Sequence, residues 1–316
     1  MKKILKQFIK KLPFLYHVIR TIKYTPVNTK KLLKNINKYF SNLPTSLELF
    51  NKIPKVNNLI VSLTSFPARM EYIEYTIFSL IQQSIRPEKI ILCLSEKEFI
   101  NKENDLPKSI QRYYSFGLEI QFEKENYKSY NKLVFTLRKY PNHIIVTADD
   151  DIFYKKNWLK LLYKNHRLYP KNIISNKIRR ITFYNKQLNP YLKWKNHSSS
   201  ICTSISFLNF LLGYCGVLYP PNSLYKDAVN VSLFTDLCPH ADDVWFFVMA
   251  LLSNTKIIKP KYFFERYLSF DYQYTNKWKN VPQLMDTNLG ENKNDVQLKA
   301  VLKYYGLDKS FYEKYA

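Results

Sequence analysis

The stretch Ile144-Ile145-Val146-Thr147-Ala148-Asp149-Asp150-Asp151-Ile152-Phe153-Tyr154 decides the fold class of this chain. Its first half is apolar and β-branched, which predicts a buried strand, and three consecutive aspartates follow. Adjacent carboxylates repel one another, so we expect a positive partner among them. Mg²⁺ or Mn²⁺ would suit, because both take oxygen ligands and bridge to phosphates. Open α/β sheets bind ligands at strand carboxyl ends. The alternative is a solvated turn or a helix start, where Asp is common.

The segments around this strand alternate between strand and helix patterns. Such alternation predicts an α/β domain with a mostly parallel central sheet and helices on both faces. After residue 180 the pattern becomes irregular and aromatic. The predicted strands are 59–64, 89–94, 118–122 and 144–147, and the predicted helices are 71–85, 129–139 and 157–169.

Length and composition limit the class of protein. With 316 residues, 46% of them hydrophobic, the chain has room for one large α/β domain plus an appendage. Its four cysteines are scattered without a Cys-x-x-Cys pair, so neither a disulfide framework nor a zinc cage is indicated. We expect reduced thiols in an intracellular protein. No run of 18 apolar residues occurs, so no transmembrane helix is predicted.

The formal net charge of +24 is concentrated near the start of the sequence. Residues 1–55 contain 12 lysines, Arg20 and one acidic residue, Glu48, which gives +12. Within residues 1–24, apolar residues recur at helical spacing between the lysines, so a basic amphipathic helix is predicted. Each basic residue near an anionic membrane contributes about 1 kcal/mol, and we predict peripheral binding to the inner face of the cytoplasmic membrane. The alternative is a helix packed on the protein with its lysines solvated.

Two further patterns lie downstream. The segment 213–221 contains Gly213 and Gly216, two of only five glycines in the chain. It indicates backbone held near a ligand or in an unusual φ/ψ conformation, or else a structural turn. Asp242 and Asp243 then open an apolar helix that is predicted to run to about residue 252. They either cap that helix or form a second acidic centre.

Together these motifs resemble those of the GT-A glycosyltransferases, in particular the bacterial family-2-like group. The resemblance covers roughly residues 57–260. Two features depart from the family pattern: an Asp-Asp pair stands where the family has Glu-Asp, and the second strand lacks the usual acidic residues that contact the base. The motifs, in chain order, are Thr64-Ser65-Phe66-Pro67-Ala68-Arg69, Tyr75-Thr76-Ile77-Phe78-Ser79-Leu80-Ile81-Gln82-Gln83, Asp149-Asp150-Asp151, Gly213–Pro221 and Asp242-Asp243.

The resemblance implies a role for each of these motifs. Asp243 is expected to be the general base, and Asp242 is the neighbour that could exchange roles with it. Mn²⁺ or Mg²⁺ is expected on Asp151, with Asp149 either as a second ligand or bonded to the ribose or donor sugar. Lys128 and Lys132 either approach the donor phosphates or are solvated surface lysines. The predicted donor-binding residues are Thr64, Ser65, Arg69, Lys132, Asp149 and Asp150.

The predicted fold is GT-A: Rossmann-like, with a basic helical N-terminal extension (residues 1–55), the glycosyltransferase domain (56–260) and a helical C-terminal tail (261–316). The predicted function is metal-dependent transfer of a sugar from a nucleotide-sugar donor to a hydroxyl of a bacterial surface glycan or glycolipid, with inversion. The protein is expected in the cytoplasm, peripheral on the membrane, with no nucleic-acid partner. The alternatives are a metal-dependent phosphohydrolase or nuclease, and a basic nucleic-acid-binding protein.

Overall fold

A computed structural model describes residues 47–196, 203–261, 268–269 and 293–315. The predicted basic helix in residues 1–24 therefore lies outside the described residues. The helices are α1 (Leu47–Asn51), α2 (Ile73–Ile81), α3 (Lys108–Gln111), α4 (Asn131–Lys139), α5 (Trp158–Leu168), α6 (Val231–Leu237), α7 (Asp242–Leu252), α8 (Lys293–Tyr304) and α9 (Leu307–Tyr315). The strands are β1 (Leu59–Thr64), β2 (Lys89–Ser95), β3 (Leu118–Glu123), β4 (Ile144–Thr147), β5 (Ile152–Phe153), β6 (Ile173–Ser175), β7 (Ile178–Arg180), β8 (Phe183–Tyr184), β9 (Gln187–Leu188), β10 (Lys195–Asn196), β11 (Ser204–Ser206), β12 (Asn209–Leu211), β13 (Val217–Tyr219), β14 (Ile257–Lys259) and β15 (Leu268–Ser269).

The described part of the chain is organised by an eight-stranded sheet with the order β11-β14-β6-β13-β4-β1-β2-β3. The pairs β4-β1, β1-β2, β2-β3 and β14-β6 are parallel. Strand β13 runs antiparallel between β4 and β6, and β11 runs antiparallel to β14. The predicted α/β class with a mostly parallel sheet and flanking helices is confirmed, and the arrangement is consistent with a GT-A-like, Rossmann-like fold.

Alternating side chains of β1 place helices on both faces of this sheet. Leu59, Val61 and Leu63 pack in one core cluster with residues of α2 and α5. Ile60 points the other way and packs with Phe135 of α4. Because both faces are covered, β1 is buried at almost every position, as expected of a parallel strand inside a sheet.

The two C-terminal helices pack on the second half of the domain. Leu298, Val301 and Leu302 of α8 and Phe311 of α9 lie in the same apolar cluster as most of α7. The predicted helical character of this region is thus present in residues 293–315, and the predicted domain boundaries near 55 and 260 stay a prediction. Among the described residues, none of the helices is long and apolar enough to cross a membrane.

A short two-stranded pairing outside the large sheet involves the segment that follows the three aspartates. Leu268 of β15 pairs with Phe153 of β5, and Ser269 pairs with Ile152, in an antiparallel bridge. This contact was not predicted, because two-residue strands leave no periodicity in a sequence. Cys93, Cys215 and Cys238 are buried, and no disulfide joins these three.

Candidate active site

The site begins where two neighbouring parallel strands end. Ser62 of β1 lies opposite Thr147 of β4, and the backbone N–H of Ala148 donates to the Ser62 carbonyl at 2.9 Å. Residues that follow these two positions therefore emerge side by side at the carboxyl edge of the sheet. On one side the chain continues into Ser65, and on the other into the three aspartates.

The middle aspartate, Asp150, is buried and held from several directions. The Ser65 hydroxyl donates to its Oδ2 at 2.5 Å, and the Arg69 guanidinium donates to its Oδ1. The Thr76 hydroxyl donates to its carbonyl at 2.8 Å. Only 4% of Asp150 is exposed, so its charge is compensated by Arg69 within the protein. These contacts fasten the acidic loop to the loop that follows β1 and to α2.

The two outer aspartates are more accessible than the middle one. The exposed fraction of the side chain is 28% for Asp151, 21% for Asp149 and 6% for Asp150. Asp151 lies 3.4 Å from the Arg69 guanidinium, so Arg69 serves two of the three carboxylates. The expected repulsion among the three aspartates is thus offset by Arg69, which lies in the loop that follows β1.

Lys132, in the first turn of α4, joins the acidic loop to the second acidic pair. Its ammonium nitrogen lies 2.9 Å from Asp149 Oδ1 and 3.6 Å from Asp242 Oδ2. Burial lowers the pKa of Lys132, but the charges of Asp149, Asp242 and Asp243 outweigh that effect and raise the net pKa well above its usual value. Lys132 is therefore charged and sits between two carboxylate centres.

Asp243 is held by the glycine-containing loop. The backbone N–H of Gly213 donates to Asp243 Oδ1 at 2.8 Å. A Cβ atom at Gly213 would lie 2.7 Å from the same oxygen, so only glycine allows this approach. Burial raises the pKa of Asp243 well above its usual range, and the neighbouring Asp242 raises it further, while Lys132 and the Gly213 N–H act in the opposite direction.

The rest of this loop has an unusual backbone, one of the two interpretations drawn from its glycines. Cys215 has φ = +85° and Gly216 has φ = +97°. Positive φ is uncommon outside glycine, and such strain clusters at functional sites. The Cys215 carbonyl accepts from Trp158 Nε1 at 2.8 Å and from Asn176 Nδ2 at 3.0 Å, which holds the strained turn in place.

Tyr154 links this loop back to the aspartates. The backbone N–H of Asp149 donates to the Tyr154 hydroxyl at 2.8 Å, and the Tyr154 and Trp158 ring centroids are 4.2 Å apart. Trp158 in turn holds Cys215. Sequence reasoning missed both aromatic residues. For Tyr154 the available signal was its position five residues after Asp149, close enough in the chain for its side chain to contact the end of β4.

The predicted site residues separate into three groups. Asp149, Lys132, Asp242 and Asp243 form one continuous polar cluster, and Ser65, Asp150 and Arg69 bind one another beside it. Thr64 lies elsewhere: its hydroxyl donates to the Cys93 carbonyl at 2.8 Å and joins β1 to β2. Lys128 is exposed, as the solvated alternative expects, whereas Lys132 is buried. The predicted catalytic and donor-binding roles themselves stay predictions.

The chemistry of the outer aspartates fits a hard divalent cation. Both offer carboxylate oxygens at a partly exposed position, and Mg²⁺ or Mn²⁺ is commonly bound by one or two carboxylates, with phosphate and water supplying the rest. Within the described residues, the structure contains no group of three or more His, Cys, Asp or Glu side chains that could hold a metal ion. An ion bound at this loop would be held by Asp151 and Asp149 together with phosphate and water.

Comparisons with known proteins match the chain only through its structure. No family model matches it, and no curated protein matches it. The fold is similar to that of S. aureus TarS 1–349, with a TM-score of 0.44 and 13% identity over 66% of this chain and 59% of that one. It is also similar to apo UDP-glucose pyrophosphorylase, with a TM-score of 0.40 and 9% identity over 80% of this chain and 98% of that one. The chain thus spans less than two thirds of the TarS fragment.

Proposed function

We propose that this protein is a glycosyltransferase that moves a sugar from a nucleotide-sugar donor to a hydroxyl of a saccharide or glycolipid acceptor. The proposal rests on one observation above all. Two carboxylate centres, Asp149–Asp151 and Asp242–Asp243, meet at the carboxyl edge of the sheet with the Lys132 ammonium between them. A group-transfer enzyme of this kind needs one centre for the leaving diphosphate and another for the attacking hydroxyl.

At the donor side, the protein must compensate the negative charge of the leaving nucleoside diphosphate. The leaving nucleoside diphosphate gains negative charge as the glycosidic bond breaks, and positive groups stabilise it. Arg69 lies at the edge of the acidic loop, 3.4 Å from Asp151, where its fork of donors suits a phosphate. Mn²⁺ or Mg²⁺ held by Asp151 and Asp149 would add Lewis-acid stabilisation of the same diphosphate.

At the acceptor side, Asp243 is proposed as the general base. Its Oδ1 is held by the Gly213 N–H, so the carboxylate has a defined orientation, and Oδ2 is the oxygen that would take the hydroxyl proton. A raised pKa increases the affinity of a carboxylate for that proton. The base works only when ionised, so activity should rise with pH through the raised pKa of Asp243. Asp242, bound to Lys132, would position the pair.

A screen of nucleotide sugars tests this function most directly. UDP-, GDP-, CMP- and dTDP-sugars are added to the full chain with Mn²⁺ or Mg²⁺, and thermal stabilisation is measured together with release of the nucleotide. A ligand that binds only the folded state increases the free energy of unfolding, by about 2.7 kcal/mol at a ligand concentration of a hundred times Kd. The melting temperature rises accordingly. Stabilisation by none of these donors would contradict the proposal.

Three aspartate variants and one control variant assign the roles. Asp151→Asn should abolish the divalent-ion dependence of nucleotide binding, and Asp243→Asn should reduce turnover about 10²–10⁴-fold with little change in donor affinity. Asp242→Asn should act mainly through binding. Asp236→Asn is the control, because Asp236 is an exposed aspartate of α6. If Asp242→Asn is inactive and Asp243→Asn is not, the two roles are reversed.

Products distinguish this function from the alternatives. Release of phosphate from nucleotides without sugar transfer would indicate a phosphohydrolase, and cleavage of DNA or RNA a nuclease. We propose inversion at the anomeric carbon in a single displacement, which proton NMR of the product reads directly. We further propose that the acceptors are growing bacterial surface glycans. Residues 1–24 would bind the inner face of the membrane, where these acceptors are reached.

A further inference from the structure

Beside Asp243 lies a cluster of cationic and aromatic side chains that the donor chemistry does not use. We call it the basic ledge and define it as Lys177, Arg179, Tyr191 and Tyr214. The Lys177 carbonyl accepts the N–H of Leu212 at 3.1 Å, which places it next to Gly213 and hence next to Asp243. Tyr214 follows Gly213 directly in the chain. The ledge and the proposed base therefore share one loop.

The two cations of the ledge flank Ile178, the first residue of β7. Lys177 directly precedes the strand and Arg179 is its second residue, whereas Ile178 is fully buried. Ile178 pairs with Leu211 of β12, which leads into the loop that contains Gly213. Two positive charges thus lie two positions apart in the chain, and Lys177 adjoins the loop that holds Asp243.

Each cation of the ledge lies over an aromatic ring. The Lys177 ammonium is 4.2 Å from the centroid of the Tyr214 ring, and the Arg179 guanidinium is 4.4 Å from the centroid of the Tyr191 ring. Arg179 also donates to the Tyr191 carbonyl at 3.3 Å. Such contacts hold the cations in place while they remain charged. Tyr214 is 41% exposed, so part of its side chain faces solvent.

The Tyr191 hydroxyl connects the ledge electrostatically to the proposed base. Burial raises the pKa of Tyr191 to about 12, Arg179 lowers it and Asp243 raises it, so the hydroxyl lies within range of both charges. The acidic group facing the ledge from the C-terminal helices is Asp295 of α8, whose carboxylate accepts the Tyr191 backbone N–H at 2.7 Å. The Tyr191 backbone is thus fixed against α8.

Resting on the proposed function, we infer that the basic ledge binds the acceptor and that this acceptor is an acidic saccharide, carrying a carboxylate or a phosphate. Its ring would lie on Tyr214 with one hydroxyl at Asp243, while its anionic group meets Lys177 and Arg179. Guanidinium and carboxylate or phosphate groups pair in a forked geometry that ammonium alone does not offer.

A glycan array tests the inference without requiring turnover. The full chain, with UDP and Mn²⁺, is applied to matched pairs of glycans that differ only in a carboxylate (uronic acid against hexose) or a phosphate (sugar phosphate against sugar). We expect the wild type to retain the acidic members more strongly. Lys177→Gln and Arg179→Gln should each lower the apparent affinity for them about tenfold, as expected for loss of one charge-assisted hydrogen bond.

The control must exclude non-specific attraction, because the chain carries a net charge of +24. Lys193→Gln removes one charge from an exposed position two residues after Tyr191 and should leave retention as in the wild type. An equal loss in Lys193→Gln and Lys177→Gln would overturn the inference. So would equal retention of acidic and neutral glycans, or retention of neither.

The remaining outcomes separate this inference from the proposed function. If Lys177→Gln weakens UDP binding and leaves glycan retention unchanged, the ledge belongs to the donor and the inference is wrong. If acidic glycans are retained through Lys177 and Arg179 while no nucleotide sugar is bound or cleaved, the ledge stands and the transferase proposal fails. The carboxylate and phosphate members of the array identify which anionic group the ledge prefers.

Discussion

Replacing Lys132 with methionine should destabilise the fold at neutral pH far more than the loss of one surface charge. Lys132 is 8% exposed and lies between Asp149 and Asp242. Methionine fills a similar volume but carries no charge, so the variant leaves these carboxylates, and the nearby Asp243, without their shared cation. The perturbation is therefore almost entirely electrostatic.

The size of the effect follows from the burial of the partners. Removing one member of a buried ion pair costs about 3–5 kcal/mol, because an uncompensated charge is left behind. The side chains of Asp149 and Asp242 keep 21% and 11% of their exposure, so water compensates part of that loss. We expect about 2–4 kcal/mol, which lowers the melting temperature of a 316-residue chain by about 3–6 °C.

The same variant should show a characteristic pH dependence. Lys132 lowers the pKa of Asp243, so in its absence that carboxyl binds its proton more readily. A carboxyl group whose pKa is raised in the folded state destabilises the fold when the pH is high enough to ionise it. As the pH falls and the group becomes protonated, this destabilisation disappears. The stability gap between wild type and Lys132→Met should consequently narrow as the pH falls from neutral towards the ordinary carboxyl range.

Urea unfolding followed by circular dichroism at several pH values measures this gap. Lys128→Met is the matched control, because the same substitution is made at an exposed lysine in the turn that precedes α4. Surface substitutions of that kind usually stay within about 0.5 kcal/mol. The reasoning is refuted if the two variants are equally stable at neutral pH, or if the gap does not change on acidification.

Three further variants examine the loop, the base and the N-terminal segment. Gly213→Ala places a Cβ 2.7 Å from Asp243 Oδ1 and should reduce transfer about 10²-fold, measured as nucleotide release, while circular dichroism stays unchanged; unaltered release would contradict the assigned geometry. Asp243→Asn should raise the melting temperature at neutral pH, because the raised pKa makes the ionised group destabilising, and the gain should vanish on acidification. Melts at pH 7.5 and pH 4 check this, and a gain that is equal at both values would argue against it. Deleting residues 1–24 should reduce sedimentation with anionic liposomes and leave hydrolysis of a soluble donor intact, and undiminished sedimentation would remove the membrane role.

Much of the sheet was predictable because its strands are locally distinctive. β1 and β4 have the predicted bounds, since both are buried on two faces and read as continuous apolar runs. The helices were predicted too long at their ends: 71–85 is observed as α2, Ile73–Ile81. The antiparallel insertion of β13 was not predictable, because a three-residue strand carries no information about its direction or its neighbours.

The sequence placed two acidic groups in one hypothesis, and the contacts between them are known only from the structure. Residue type and order brought Asp149–Asp151 and Asp242–Asp243 into one hypothesis. That Lys132 lies between the two groups depends on packing between residues far apart in sequence, which no local pattern records. The same holds for Tyr191, whose link to Asp243 arises only in the folded chain.

The three consecutive aspartates are not equivalent, and this bears on how related chains can vary. The Asp150 carboxylate forms an ion pair with Arg69. It also accepts a hydrogen bond from the hydroxyl of Ser65, which lies 85 residues earlier in the chain. A chain that replaced Asp150 by an apolar residue would leave the Arg69 guanidinium partly buried beside Asp151 alone. Substitution at 150 should therefore be accompanied by substitution at 69 and 65, so these three positions are expected to vary together and independently of the more exposed Asp149 and Asp151.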